Sequence, residues 1–144
     1  MKQAEGQDLI IADSHAHIFP GKIAQKATEN IGHFYDIPME HCGMSGELIK
    51  SGEEIGVRKY LVCSTATRPA QVQAINDFIY GECQKFDCFL GFATLHAYMD
   101  EPEREIDRIL ELGLHGVKLH PDFQLFDIDD AKAIPIYRRL AEVG

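Results

Sequence analysis

Four short apolar runs, residues 9–12, 60–63, 89–94 and 116–119, alternate with longer stretches whose apolar residues recur at helical spacing. That alternation constrains the fold more than any other feature. The runs have strand length, and the stretches between them suit amphipathic helices. Within 69–86, Val72, Ile75 and Ile79 share a helical face, and Thr67 with Pro69 supplies a start. The next helix has Asp100 as its expected cap, Pro102 in its first turn, Ile106, Ile109 and Leu110 as its buried stripe and Gly113 as its stop. A last helix is expected over 134–143, with Pro135 in its first turn, Ile136, Leu140 and Val143 facing inward, and Asp129 or Asp130 as its cap. Residues 47–55 carry Leu48, Ile49 and Ile55 at helical separation and end at Gly56. Residues 19–44 break the pattern. Gly21, Gly32, Pro38 and Gly43 interrupt them, so an irregular loop insertion is expected there, briefly helical over 22–31.

The order β-α-β-α-β-α-β-α predicts an α/β fold with a parallel sheet of βαβ units. Four units can form an open doubly wound sheet or half of an eight-stranded barrel. A complete barrel takes about 250 residues. The 144 residues of this chain are therefore read as one unit, 1–144, a parallel (β/α)4 half of a TIM-type (β/α)8 barrel, with a fifth strand expected to begin where the sequence stops.

Charge narrows the partners. Lys and Arg number 14 against 23 Asp and Glu, a formal charge of -9, which disfavours duplex nucleic acid and anionic membrane surfaces. The first apolar run lies between Asp8 and Asp13 and is too short for a signal segment or a spanning helix, so a cytoplasmic location is expected. Cys42, Cys63, Cys83 and Cys88 form no C-x-x-C pair and read as reduced, mostly buried thiols without chemistry; a nucleophilic cysteine is the competing reading. The absence of a glycine-rich phosphate loop or a serine elbow excludes kinase-like and dinucleotide-binding readings.

The first run leads directly into Asp13, His15 and His17, which strict alternation places on one face. At the C-terminal end of a barrel strand the two imidazoles would converge on one point, as a divalent metal requires. A pair without a ligand is the competing reading, since the chain has seven histidines. At the fourth run Lys118 and His120 alternate with Val117 and Leu119 before Pro121 stops the strand. Lys118 could polarise a substrate or, as a carbamate, bridge two metals, and His120 could be a ligand or a proton donor. Alternatively Lys118 pairs with Asp13 or another carboxylate and His120 only lines the pocket. His96, ending the third run, and Asp122, near His120, are candidate pocket residues. His33 and His41 are read as solvated loop residues and His115 as structural.

Taken in order, Asp13-Ser14-His15-Ala16-His17, the stretch from Glu53 through Val62, Gly91-Phe92-Ala93-Thr94-Leu95-His96 and Gly116-Val117-Lys118-Leu119-His120-Pro121-Asp122-Phe123-Gln124 resemble the N-terminal half of the amidohydrolase superfamily, in its amidohydrolase-related (type 2) branch. The resemblance implies a (β/α)8 barrel that holds one or two divalent metals, often zinc, and hydrolyses small-molecule amides, esters or lactones, with decarboxylation as a side branch. It makes His15 and His17 metal ligands, sets Lys118 where some members carry a carboxylated bridging lysine and matches His120 to a recurrent residue of the branch without a fixed role; with the strand-end placements, Lys118 and His120 are read as catalytic and His96 and Asp122 as substrate contacts. The family's other ligands and its general base follow strands five, six and eight. This chain alone is accordingly expected to be inactive, and to associate with a copy of itself or with a complementary C-terminal half. Two other readings compete: a non-catalytic, self-associating half-barrel, and a flavodoxin-like domain that binds a small ligand at a switch point.

Overall fold

The computed structural model describes residues 9–144; the first eight residues of the expected unit lie outside the described residues. Strands β1 (Ile11–His17), β2 (Val57–Cys63), β3 (Phe89–Thr94) and β4 (Gly116–Lys118) are parallel and lie side by side in chain order. They curl as half of a TIM-type barrel. The helices are α1 (Gly21–Tyr35), α2 (Ser45–Glu53), α3 (Val72–Lys85, entered through a 3-10 turn at Pro69–Gln71), α4 (Pro102–Leu112), α5 (Pro121–Gln124) and α6 (Ile134–Val143).

The sheet's outer face is sealed by those helices. Tyr60, Val62, Phe89 and Ala93 pack in one cluster with Val72 and Ile79 of α3, Ile106 and Ile109 of α4 and Ile136 of α6. Full burial of each large side chain there contributes about 1.5–3 kcal/mol. Where α2 packs on β2, the Tyr60 side chain lies so close to Gly52 that a Cβ there would overlap its ring and hydroxyl. The Tyr60 hydroxyl donates to the Ile49 carbonyl at 3.3 Å. Gly113 closes α4 in the left-handed region, at φ 73, with its N–H on the carbonyls of Ile109 and Leu110. The inner face, which carries Leu61, Leu90 and Phe92 by alternation, is more open, with Leu90 38% exposed.

Several expectations are corrected. Residues 19–44 hold a fifteen-residue helix, α1, in place of an irregular loop with a brief helical stretch at 22–31. Its buried side is a stripe of small residues, Ala24, Thr28 and Gly32, and Thr28 Oγ1 bonds both the Ala24 and the Cys42 carbonyls at 2.9 Å. A search for large apolar residues misses such a face. Residues 9 and 10 lie outside β1 and are 81% and 79% exposed, because the strand runs on through the histidines. Leu110 is 48% exposed and leaves the α4 stripe to Ile106 and Ile109. Glu101, in the left-handed region at φ 49, stands at the α4 N-cap in place of Asp100. Ala133 stands at the α6 N-cap in place of Asp129 or Asp130; Asp130 accepts the Lys132 N–H and the Tyr98 hydroxyl instead.

Candidate metal centre

The site begins with an irregularity in β1. Asp13 aligns with Tyr60 of β2 and Ala16 with Val62, so three residues of β1 pass two of β2. The extra residue is a bulge, and within it Asp13 Oδ1 accepts the His15 N–H at 3.0 Å. Alternation is shifted by one: His15 and His17 face inward, while Asp13 falls in register with the outward-facing Tyr60. The expectation that all three share a face fails for Asp13.

His15 Nε2 and His17 Nε2 stand 3.0 Å apart. Cys63, the last residue of β2 and the register partner of His17, joins them; one ligand atom from each of the three lies within 4.8 Å of the others. Lys118 enters from β4, its Nζ 3.3 Å from His15 Nε2. Burial first, then the Coulombic influence of His15, Lys118 and His120, lowers the His17 pKa to about 4, so its ring is neutral at pH 7. Burial pushes the Cys63 thiol up to about 11, with Lys118 pulling the other way.

These donors fit a divalent ion. Two imidazole nitrogens facing each other with no carboxylate bonded to either need a shared proton or a cation between them. A tetrahedral ion about 2.0 Å from nitrogen and about 2.3 Å from sulfur spaces its nitrogens by about 3.3 Å and nitrogen from sulfur by about 3.5 Å. The imidazole pair needs to open by only a few tenths of an ångström.

His120 sits beside this cluster and is fixed on three sides. Its backbone N–H donates to Gln124 Oε1 at 2.8 Å, its Nδ1 accepts the Phe123 N–H at 3.4 Å, and its Nε2 meets the Tyr35 hydroxyl at 3.0 Å. A neutral imidazole carries one N–H. With Nδ1 accepting, the proton sits on Nε2 and Tyr35 accepts it. Burial first, then Lys118, lowers the His120 pKa, partly offset by Asp122. Buried Gln124 also donates to the carbonyls of Ala66 and Leu95 at 2.9 and 2.6 Å, tying together the segments that follow β2, β3 and β4.

Of the residues expected from the sequence, the structure brings His15, His17 and Lys118 into contact and His120 to their edge. His96 is buried at 4% exposure, and its Nδ1 accepts the Tyr98 N–H at 3.2 Å. Asp122 is exposed on the first turn of α5. Cys63, Tyr35 and Gln124 were not expected. Strand ends compared in register would have found Cys63; nothing local marks Tyr35, 85 positions from His120. A cavity of about 750 Å³ opens between α1 and α3, with His17, Arg68 and Phe123 in its lining. Thr65, also in that lining, has a buried hydroxyl without a hydrogen-bond partner among the described residues.

No protein-family model matches the sequence, and no curated protein matches it either. Among solved structures, the chain is similar to a probable 2-pyrone-4,6-dicarboxylic acid hydrolase from Acinetobacter baumannii with citric acid bound. The TM-score is 0.60 at 16% identity, covering 94% of this chain and 47% of that one. A 2,6-dihydroxybenzoate decarboxylase complexed with 2,6-dihydroxybenzoate gives a TM-score of 0.59 at 17% identity, covering 92% of this chain and 47% of that one. The chain therefore spans about half the length of each. Likeness at such identities carries the fold, and the fold it carries is the half-barrel expected from the sequence.

Proposed function

We propose that the chain is the N-terminal half of an amidohydrolase-like barrel and contributes part of the site of a metal-dependent hydrolase acting on a small-molecule amide, ester or lactone. The observation that carries this reading is the pair of Nε2 atoms 3.0 Å apart, with Lys118 Nζ 3.3 Å from one of them, at the C-terminal ends of β1 and β4. Barrel enzymes place their chemistry at that end. A bound divalent ion, zinc by preference, supplies Lewis acidity and acidifies water toward a pKa of about 7. The chain's own residues supply part of the rest. Neutral His17 and adjacent His15 hold the ion, and the Lys118 ammonium orients a carbonyl or carboxylate oxygen of the substrate. His120, with its proton on Nε2, donates to the leaving group. Exposed Asp122 suits a substrate contact better than His96, whose ring is taken up by Tyr98.

Decarboxylation is the second reading, favoured by the likeness to the 2,6-dihydroxybenzoate decarboxylase. The same imidazoles and Lys118 would then receive the substrate's carboxylate. A complementary half or a second copy covers the open inner face around Leu90, and the cytoplasm is the proposed compartment; no helix among the described residues is long and apolar enough to cross a membrane. Native mass spectrometry of the protein from its source reads bound metal and assembly together. One or two divalent ions, lost in His15→Ala, are expected. A metal-free protein whose hydrolase activity survives His15→Ala would sink the reading.

A further inference from the structure

We propose that Cys63 is a third protein ligand, so that the half-barrel holds a thiophilic divalent ion in a His2Cys site made entirely from β1 and β2. The inference rests on the metal-site reading above and adds to it the ligand set and the class of ion. Three observations carry it.

The first is placement by the backbone. In a parallel pair, residues in register point their side chains to the same face, and Cys63 is in register with His17. The bulge at Ser14 and His15 turns both imidazoles, which alternation keeps on one side, to the face of Cys63 and away from Asp13, and the three ligand atoms gather within 4.8 Å of one another. A bulge that re-aims a side chain beside a site is a recurrent device. Without it, both imidazoles would fall on the outer face with Asp13.

The second is the state of the sulfur. Cys63 is fully buried, and among the described residues its sulfur has one hydrogen bond, to the Ala16 carbonyl at 3.7 Å. Thr94, by contrast, has its N–H and its hydroxyl in the hydrogen bonds of the neighbouring network. The thiol faces two nitrogen donors instead of an apolar wall.

The third is charge. The Lys118 ammonium, 3.3 Å from His15 Nε2, repels a dication held by imidazoles alone. A thiolate ligand halves the net charge that the ammonium meets. Forming the S–metal bond releases the thiol proton to solvent, and soft thiolate with imidazole selects zinc, cadmium or cobalt over magnesium or calcium. Two imidazoles and a thiolate also supply the three protein ligands of a catalytic zinc site and leave one position open.

The test is a titration of the full chain with Co²⁺ and, separately, Cd²⁺, read in the near and middle ultraviolet, where sulfur-to-metal charge transfer absorbs. The expected result is one saturating band per chain that survives replacement of Cys42, Cys83 and Cys88 by serine. The band disappears in Cys63→Ser, and Cd²⁺ affinity falls at least about 100-fold, the upper end of what loss of a mere outer-shell partner costs. His115→Ala leaves both unchanged. Should Cys63→Ser fail to fold by circular dichroism, the band in the triple-serine protein, whose only thiol is Cys63, decides alone. Metal bound through His15 and His17 without a sulfur band overturns the proposal and leaves the metal-site reading standing. No metal bound at all overturns both.

Discussion

Two polar clusters flank the same sheet and are built on opposite principles. Behind β3, between α3 and α4, every buried polar group has its partner. Asn76 Oδ1 accepts the Thr94 N–H at 2.7 Å, and its Nδ2 donates to the Thr94 carbonyl at 3.1 Å and to Glu105 at 2.7 Å. Arg108 grips both oxygens of Glu105, at 2.7 and 2.9 Å, and bonds Asp77 as well. At the ends of β1, β2 and β4 the arrangement is reversed: two imidazoles, an amine and a thiol crowd together, and the nearby Asp13 carboxylate bonds backbone instead. A closed network in which every buried group is partnered serves stability. A cluster of imidazole and sulfur donors with no carboxylate bonded to them suits something that arrives from outside.

The largest effect should come from opening the closed network. Asn76→Leu keeps roughly the volume but strands the Thr94 N–H and leaves the buried Glu105 carboxylate one donor short. Loss of a partner from a buried charged network costs about 3–5 kcal/mol. Urea denaturation should show that loss at pH 7, while the fraction still folded binds metal as the wild type does. Metal affinity falling in step with stability would mean that the two clusters are not separable.

Acid should expose the same difference next. Burial pushes the Glu105 pKa up, but hydrogen bonds from Arg108 and Asn76 outweigh it and hold the group below its ordinary value of 4.5. A folded-state pKa below the unfolded one gives stability that is present above about pH 4.5 and lost as pH falls through the folded value. Glu82, held down by Lys85 and Ser45 against its own burial, has the same sign. Glu105→Gln should therefore flatten the decline of stability below pH 4.5 without abolishing it. An unchanged slope would show that folding leaves the Glu105 pKa where it stands in the unfolded chain.

How much of this was legible in the sequence follows from the same contrast. The closed side must exclude water, so it needs apolar runs, and those runs mark strands. Residues 89–94 are β3 and 134–143 are α6, as read from spacing alone. The open side leaves weaker traces. His15, His17 and Lys118 announce themselves because imidazoles and an amine at strand ends are unusual. Cys63 does not, because a buried cysteine is ordinary and only the register with His17 gives it meaning. The bulge in β1 carries no glycine or proline to signal it, and it alone reverses Asp13. Helix α1 was hidden by its small-residue face and took Tyr35 with it. Gln124 reads as one more polar residue until the three segments that it joins are brought together in space.

Removing a member of the open cluster should affect stability far less. His15 is exposed, and its ring is bonded only to the His17 ring and to Lys118. His15→Ala in metal-free protein should shift stability by no more than about 0.5 kcal/mol, the usual range for surface substitutions. Added Zn²⁺ should then raise the melting temperature of the wild type and leave the variant unmoved, because only a ligand that binds the folded state stabilises it. A variant that still responds to Zn²⁺ would move the metal away from His15.

The smallest effect belongs to the hydrogen bond between Tyr35 and His120, which lies at the border of the two kinds of surface. Tyr35 is 46% exposed, so water can replace its hydroxyl. Helix α1 keeps its other attachment, because the Phe34 ring lies 4.4 Å from that of Phe123. Tyr35→Phe should therefore change stability by less than about 0.5 kcal/mol. The informative signal is the His120 ring itself. The Phe123 N–H, not Tyr35, dictates which nitrogen carries the proton, so ¹⁵N imidazole spectra should show the Nε2–H form in both proteins. What changes in Tyr35→Phe is the exchange of that N–H with water, which becomes faster once its acceptor is gone. A switch to the Nδ1–H form would mean that Tyr35 donates rather than accepts. His120 would then offer a lone pair to the cluster instead of a proton, and its place would be among the ligands.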